Sequence, residues 1–306
     1  RLASYRPDAL YQRHNVFMTS AMRAARKLRI PVILEVNAPV FYESENDFYL
    51  RFLHKRSEIA AFRMADVIIV VSERVKDILT DVGIGGKKIH VIPNAVDAEE
   101  FSPAINGGAI RERHNLQKKV VVGFIGSFKP WHGIENLLNC IARVKQKGVK
   151  NLHYLLVGEG PLKEYARRYL KEHDLTGEVT LTGKIGYKDV PRYLASMDIL
   201  ISPHNPQEVD KDKFHGSPIK IFEYMSMARP IIASKVGQIG EILEEGKSAL
   251  LMEPGDEEAM CDAIVELSGD KRMRDRLGKC ARETVLSSHT WEQNASRVID
   301  IVEQLQ

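Results

Sequence analysis

Between Phe214 and Ser234, the stretch FHGSPIKIFEYMSMARPIIAS sets a cation, Lys220, and a carboxylate, Glu223, three positions apart near the start of a helix. Ser217 is a good N-cap and Pro218 suits the first helical position, so the spacing predicts a helix starting there, with first-turn N–H groups that lack intrahelical acceptors. Lys220 then falls in the first turn, where a cation opposes the helix dipole unless something negative lies between them. A bound phosphate would resolve that conflict, and Gly216 lets a ligand come close. Ile221, Tyr224, Met225 and Ala228 form the i, i+3, i+4, i+7 stripe of a buried face, leaving Lys220 and Glu223 on one polar strip. Arg229 and Pro230 end the helix, and Ile231 to Ser234 reads as a short buried strand. A capped core helix with a surface Lys and Glu pair would account for the same residues without chemistry.

The elements that must position this strip are legible as apolar runs. Residues 9–13 (ALYQR), 32–36 (VILEV), 67–71 (VIIVV) and 89–92 (IHVI) are separated by helix-length segments, the pattern of a parallel sheet. The first run comes only nine residues in, which suggests that the N-terminal part of a larger domain is absent. Residues 101–108, with Pro103, Gly107 and Gly108, have the composition of a linker. Six further runs follow: VVVGFIGS (120–127), LHYLLVGEG (152–160), VTLTGKI (179–185), DILISPH (198–204), PIIASKV (230–236) and ALLMEP (249–254). The expected division is 1–103 plus the last helix 289–306, against 104–288. Ligands of such sheets bind beyond the strand C-termini, here Gly126-Ser127-Phe128-Lys129, Gly158-Glu159-Gly160, Thr182-Gly183-Lys184 and the long loop 204–216. Asp256 is placed to cap a helix, and Thr290 with Gln293 forms a capping box for a last helix carrying Trp291, Ala295, Val298, Val302 and Leu305 on one face.

Composition narrows the field of partners. The 306 residues carry 44 basic and 41 acidic side chains, a net charge of +3 that is too slight to imply nucleic acid. Cys140, Cys261 and Cys280 are odd in number and lack metal-ligand spacing, which suits buried thiols in a cytoplasmic protein rather than a disulfide framework. No run approaches a membrane span; Arg23, Arg26, Lys27 and Arg29 make a basic helical end that fits a solvated helix face beside a strand, with peripheral contact to an anionic membrane as the lesser alternative.

Familiar signatures of hydrolases and NTPases are missing, and Gly158-x-Gly160 lacks the third glycine of a dinucleotide fingerprint. Instead, PNAVD (93–97), GSFKPWHG (126–133), LLVGEGP (155–161), LTGKI (181–185) and SPIKIFEYMSMARPIIAS (217–234) together resemble glycosyltransferase family 4, the retaining sugar-nucleotide-dependent enzymes of the GT-B fold. The resemblance implies two Rossmann-like doubly wound domains facing across a cleft, the first incomplete here, with the donor nucleotide held by the second and the acceptor mostly by the first. It carries over to Glu223 as the ribose-binding second glutamate of Glu-x7-Glu, to Ile219 and Lys220 at the distal phosphate, and to Thr182, Gly183 and Lys184 beside the base. Gly126, Ser127, His132, Gly158, Gly216, Ser217 and Pro218 complete the expected donor pocket, and Asn94 matches the asparagine of Pro-Asn-Gly-Val-Asp. Two departures stand out: His215 replaces the first glutamate, and the family's loop Arg and Lys fall on Ser127 and His132, leaving Lys129 as the candidate replacement cation.

The resemblance implies hexosyl transfer from a nucleoside diphosphate sugar, with Lys129, Lys220 and His215 as the expected catalytic set, no cofactor and no metal. The acceptor is expected to be a saccharide, a lipid-linked or a small molecule, met by Arg13, His14, Glu35 and Asn37 at the strand ends and by Asn94. A non-catalytic sugar-nucleotide-binding or assembly subunit and a GT-B-like epimerase are the alternatives.

Overall fold

The computed structural model describes residues 7–43, 48–208 and 214–305, without side-chain detail for 43 and 48–51. The chain divides into two compact units: residues up to 94 with 215–217 and 291–306, and residues 95–214 with 218–290. The division falls at Asn94–Ala95 rather than at 103–104, because Phe101, read as linker, is 1% exposed and belongs to the core of the second unit.

In the first unit, β1 (Leu10–Arg13), β2 (Val32–Val36), β3 (Val67–Val70) and β4 (Ile89–Val91) form a parallel sheet in the order β1-β2-β3-β4. The connecting helices are α1 (Ser20–Lys27), α2 (Val40–Glu43), α3 (Phe48–Met64) and α4 (Glu73–Asp81). Alternation along β2 sends Val32, Leu34 and Val36 into one core with Met22, Ala25 and Phe62, while Ile33 joins Val67, Ile69 and Ile92 on the other face. The last helix, numbered below, closes that second face with Ile301, Val298, Val302 and Leu305. It begins at Trp291, as the sequence indicates, but Trp291 itself remains 46% exposed and Ile301 takes the buried position. Asn294, also buried, donates to the Pro93 carbonyl at 2.7 Å and so fixes this helix to the PNAVD segment.

The second unit holds β5 (Val120–Ile125), β6 (Leu152–Val157), β7 (Val179–Gly183), β8 (Ile199–Ser202), β9 (Ile231–Ser234) and β10 (Leu250–Met252), all parallel, in the order β10-β9-β8-β5-β6-β7. Its helices are α5 (Gly108–Arg113), α6 (Ile134–Gln146), α7 (Lys163–Glu172), α8 (Val190–Ala195), α9 (Ile219–Ser226), α10 (Gly237–Ile242), α11 (Glu257–Gly269) and α12 (Lys271–Ser288); the last helix of the chain, α13, is Trp291–Glu303. Because helices cover both faces, β6, β8 and β9 read as unbroken buried runs rather than alternating ones. Val121 packs with α9 on one side, and Val122 and Phe124 pack with α6 and α11 on the other. Asp256 caps α11 by accepting from Ala259 N at 2.9 Å, as expected, and Asp270 caps α12 in the same way. No helix of the described residues is long and apolar enough to cross a membrane.

Candidate active site

The site forms where β5 ends and α9 begins. β5 and β6 run side by side to Ile125 and Val157, and their glycine-rich exits interlock through Gly126 N to Val157 O at 3.0 Å and Phe128 N to Glu159 O at 2.8 Å. At Gly158 (φ 144°) a Cβ would lie 1.8 Å from the Gly126 carbonyl oxygen, so the crossing demands glycine. Gly126 in turn faces Lys220, whose Nζ would be 3.1 Å from a Cβ placed there.

α9 departs from the sequence expectation in two respects. It starts at Ile219 with Pro218 as its N-cap residue, and Ser217 does not cap it. The Ser217 hydroxyl instead accepts from Asn94 N at 3.0 Å, while Asn94 Nδ2 donates to the Ser217 carbonyl at 2.6 Å. The helix is also buried nearly all round: besides Ile221, Tyr224 and Met225, both Phe222 (0%) and Glu223 (6%) are covered. Tyr224 Oη accepts from Ile125 N at 3.0 Å, which holds the second turn of the helix against the end of β5. The N–H groups of Ile219 and Lys220 remain without intrahelical acceptors.

Lys220 is the centre of charge. Part of its stem stays in contact with solvent, but its Nζ is buried without a hydrogen-bond partner and lies 4.9 Å from the centroid of the Phe124 ring. Burial pulls the ammonium down to about 8, against the attraction of Glu223. Burial likewise pushes the Glu223 carboxyl up to about 7, opposed by the hydrogen bond from Tyr187 Oη (3.2 Å) and by Lys220. His132 Nδ1 is 2.6 Å from the Ser127 carbonyl oxygen, which fixes the ring; burial, with Lys220 second, holds it down to about 4. His204, 3% exposed with an unpartnered Nδ1, stands 6.4 Å from His132 between ring centroids and is held down to about 3 by burial, Lys220 and His132. One buried ammonium and two imidazoles that burial keeps neutral thus lie close together, an arrangement that a bound anion would stabilise.

Of the donor-side residues, the structure brings together Gly126, Ser127, His132, Gly158, Lys220 and Glu223. Gly183 adjoins them through its carbonyl, which accepts from Gly158 N at 3.0 Å, and Thr182 Oγ1 donates to that same oxygen at 2.9 Å, with Lys184 exposed beside it. Lys129 is exposed, its ammonium 4.6 Å from the Trp131 ring centroid rather than beside Lys220. His215 groups with the first unit, where its ring meets Tyr42 edge-on at 5.4 Å and its carbonyl accepts from Ser72 Oγ at 2.8 Å. Gly216 and Ser217 group there too, and residues 209–213 of the loop lie outside the described residues. Sequence reasoning missed His204 and Tyr187; for His204 the available signal was its position just past a buried strand.

Of the residues expected to meet the acceptor, Arg13, Glu35 and Asn37 come together at the ends of β1 and β2. Glu35 accepts from Tyr11 Oη at 2.8 Å and lies 4.0 Å from Arg13 Nε, and the Asn37 amide, turned as its neighbours require, donates to Glu35 at 2.9 Å. His14 instead faces Glu58 at 2.8 Å, both side chains buried, and Glu58 also accepts from Val40 N and Phe41 N. A cavity of about 450 Å³ opens nearby, lined among others by Tyr11, Glu35, Asn94, Trp291 and Ile299.

This fold, two units each built on a parallel α/β sheet, is that of the GT-B glycosyltransferases. Anabaena Alr3699/HepE, solved with UDP and glucose, superposes with a TM-score of 0.76 at 18% identity, over 98% of this chain and 79% of its own. Sucrose-phosphate synthase from Thermosynechococcus elongatus gives 0.73 at 22% identity, over 99% and 75%. The family model "Glycosyltransferase Family 4" matches residues 1–100 and "Glycosyl transferases group 1" matches residues 119–270. The chain belongs to glycosyltransferase family 4. Curated relatives include the alpha-D-kanosaminyltransferase of Streptomyces kanamyceticus (21% identical, 84% of this chain) and the sulfoquinovosyl transferase SQD2 of Arabidopsis thaliana (24%, 97% of this chain). The chain spans 66% and 56% of the lengths of these two proteins.

Proposed function

We propose that this protein transfers a hexosyl unit from a nucleoside diphosphate sugar to an acceptor hydroxyl, with retention at the anomeric carbon as its family implies. The observation that carries the reading is the buried, unpartnered ammonium of Lys220 at the N-terminus of α9. In this reading the diphosphate sits against Lys220, the Ile219 and Lys220 N–H groups and His132, and Glu223 accepts from the ribose hydroxyls. As the bond from the anomeric carbon to the phosphate oxygen breaks, the electron pair stays on the diphosphate, where these groups stabilise it. A single pre-oriented donor of this kind is worth about 3–4 kcal/mol. Arg13, His14, Glu35, Asn37 and Asn94 are proposed to face the acceptor.

A thermal-shift panel of UDP, GDP, ADP and their sugars tests donor binding, since a ligand at 100 times its dissociation constant adds about 2.7 kcal/mol of stability. Release of free nucleoside diphosphate on adding an acceptor then tests transfer. A panel with no stabilising nucleotide would overturn the reading. Stabilisation with no transfer to saccharide, lipid-linked or small acceptors would leave a binding subunit instead.

A further inference from the structure

Two of the three cysteines meet in the core of the second unit although 121 positions separate them. Cys140 on α6 and Cys261 on α11 place their sulfurs 2.9 Å apart, and Cys261 Sγ is also 3.6 Å from the Cys140 carbonyl oxygen. The two helices are held in register beside them: Glu257, at the start of α11, accepts from Asn139 Nδ2 at 2.8 Å and pairs with Arg143 at 3.3 Å. The sulfurs need close by only about 0.9 Å to reach bonding distance. Both thiols are buried, Cys140 at 0% and Cys261 at 1% exposure, and Cys261 is the one that borders a cavity of about 380 Å³, with Arg143, Gln146, Lys147 and Glu258. Contact with Cys140, reinforced by Lys147 and Arg143, favours the thiolate at Cys261, whereas the same contact and burial push the Cys140 thiol up. Cys280, on α12, stands apart from both.

We propose that Cys140 and Cys261 form a reversible intramolecular disulfide, with a small-molecule disulfide such as oxidised glutathione as the oxidant. The Cys261 thiolate attacks one sulfur of the oxidant, whose S–S bond breaks and releases one glutathione thiolate. Cys140, on losing its proton, attacks the Cys261 sulfur of the mixed disulfide and expels the second glutathione. Two protein thiols are oxidised and one glutathione disulfide is reduced to two thiols; excess thiol reverses both steps. The cross-link ties α6, which begins just after His132, to α11. This inference does not depend on the glycosyltransferase reading.

The test uses the folded Cys280→Ser chain, so that only this pair can react. Samples are equilibrated across ratios of reduced to oxidised glutathione, acid-quenched, denatured, alkylated and weighed intact. The expected result is two alkylated thiols at the reducing end and none at the oxidising end. The oxidised chain should be lighter by two hydrogens, carry no adduct, and melt roughly 5–10 °C higher until dithiothreitol is added. Adding Cys140→Ser should trap a stable glutathione adduct on Cys261; if that variant does not fold, the Cys280→Ser masses decide alone. Two alkylatable thiols at every ratio, a persistent adduct on the Cys280→Ser chain, or a disulfide-linked dimer would overturn the proposal.

Discussion

Lys220 and Glu223 lie three positions apart on α9, yet they do not form an ion pair: Tyr187 donates to Glu223 at 3.2 Å, while the Lys220 ammonium lies 4.9 Å from the centroid of the Phe124 ring. The Lys220 ammonium is therefore buried without a hydrogen-bond partner, and the Glu223 carboxylate has Tyr187 as its partner. Replacing Lys220 with Met removes a buried, uncompensated charge and should stabilise the empty protein by roughly 2 kcal/mol while abolishing the stabilisation given by nucleoside diphosphates. Thermal melts with and without UDP and GDP would check both effects, and a variant that melts lower and still responds to nucleotide would contradict the role given to Lys220.

Glu223→Gln keeps the size and the contact with Tyr187 but substitutes a neutral acceptor. Nucleotide affinity should fall by roughly 1–3 kcal/mol with the fold intact. Calorimetry on the folded variant decides, and unchanged affinity would remove Glu223 from the ribose site.

The lowered value of Lys220 sets the pH dependence. A bound diphosphate raises the ammonium above its free value of about 8, so the affinity it contributes is fully present below pH 8. As pH rises further, affinity should fall by up to about tenfold per unit until the bound value is passed. Stability of the empty protein runs the other way. The folded value lies below the ordinary 10.5, so the cost of the buried charge is greatest below pH 8 and is relieved between 8 and 10.5. Lys220→Arg should flatten both profiles, and flat profiles in the unmodified protein would show that Lys220 does not titrate in this window.

Transfer should be independent of divalent metal, because Lys220, His132 on protonation, and the start of α9 supply positive charge where the diphosphate is proposed to leave. Glu159, a carboxylate just past the end of β6, is already engaged by Lys163. Activity lost in EDTA and restored by magnesium or manganese would be the contrary result.

Phe17 and Met18 are 63% and 59% exposed immediately before α1, whose Arg23, Arg26 and Lys27 also face solvent. Apolar tips next to a basic helix suit an anionic bilayer surface. Co-sedimentation with vesicles containing phosphatidylglycerol should therefore exceed that with phosphatidylcholine alone, and the joint replacement of Phe17 and Met18 by Ser should abolish the difference. Equal sedimentation with both vesicle types would remove the membrane role.

All ten strands of the described residues were legible because runs such as VIIVV or VVVGFI are continuous, and hydrophobic pattern is a local property of the chain. What escaped depends on distant partners. Ser217 looks like a cap from its neighbours, but Asn94, 123 positions away, takes its hydroxyl. Periodicity gave α9 one buried face, whereas packing against α12 covers the other, and Arg282 from that helix reaches the Ser226 carbonyl. Lys129 stood between Ser127 and His132 in sequence, yet the aromatic face of Trp131 nearby draws it away. Nothing within the stretch 198–204 announces that His204 stands beside His132, nor does spacing announce the meeting of Cys140 and Cys261.

The bond from Ile125 N to Tyr224 Oη joins residues 99 positions apart, and β5 also pairs with β8 as well as with β6. The glycine-rich exit of β5 therefore leaves the ribosome long before the helix that completes its pocket. A nascent second unit that stops short of α9 has the glycine-rich loop but not Lys220, and the closure entropy of so long a loop is recovered only when α9 docks. On the proposed reading, a chain stalled or truncated before α9 should therefore fail to hold a nucleotide, whatever its first half has folded into.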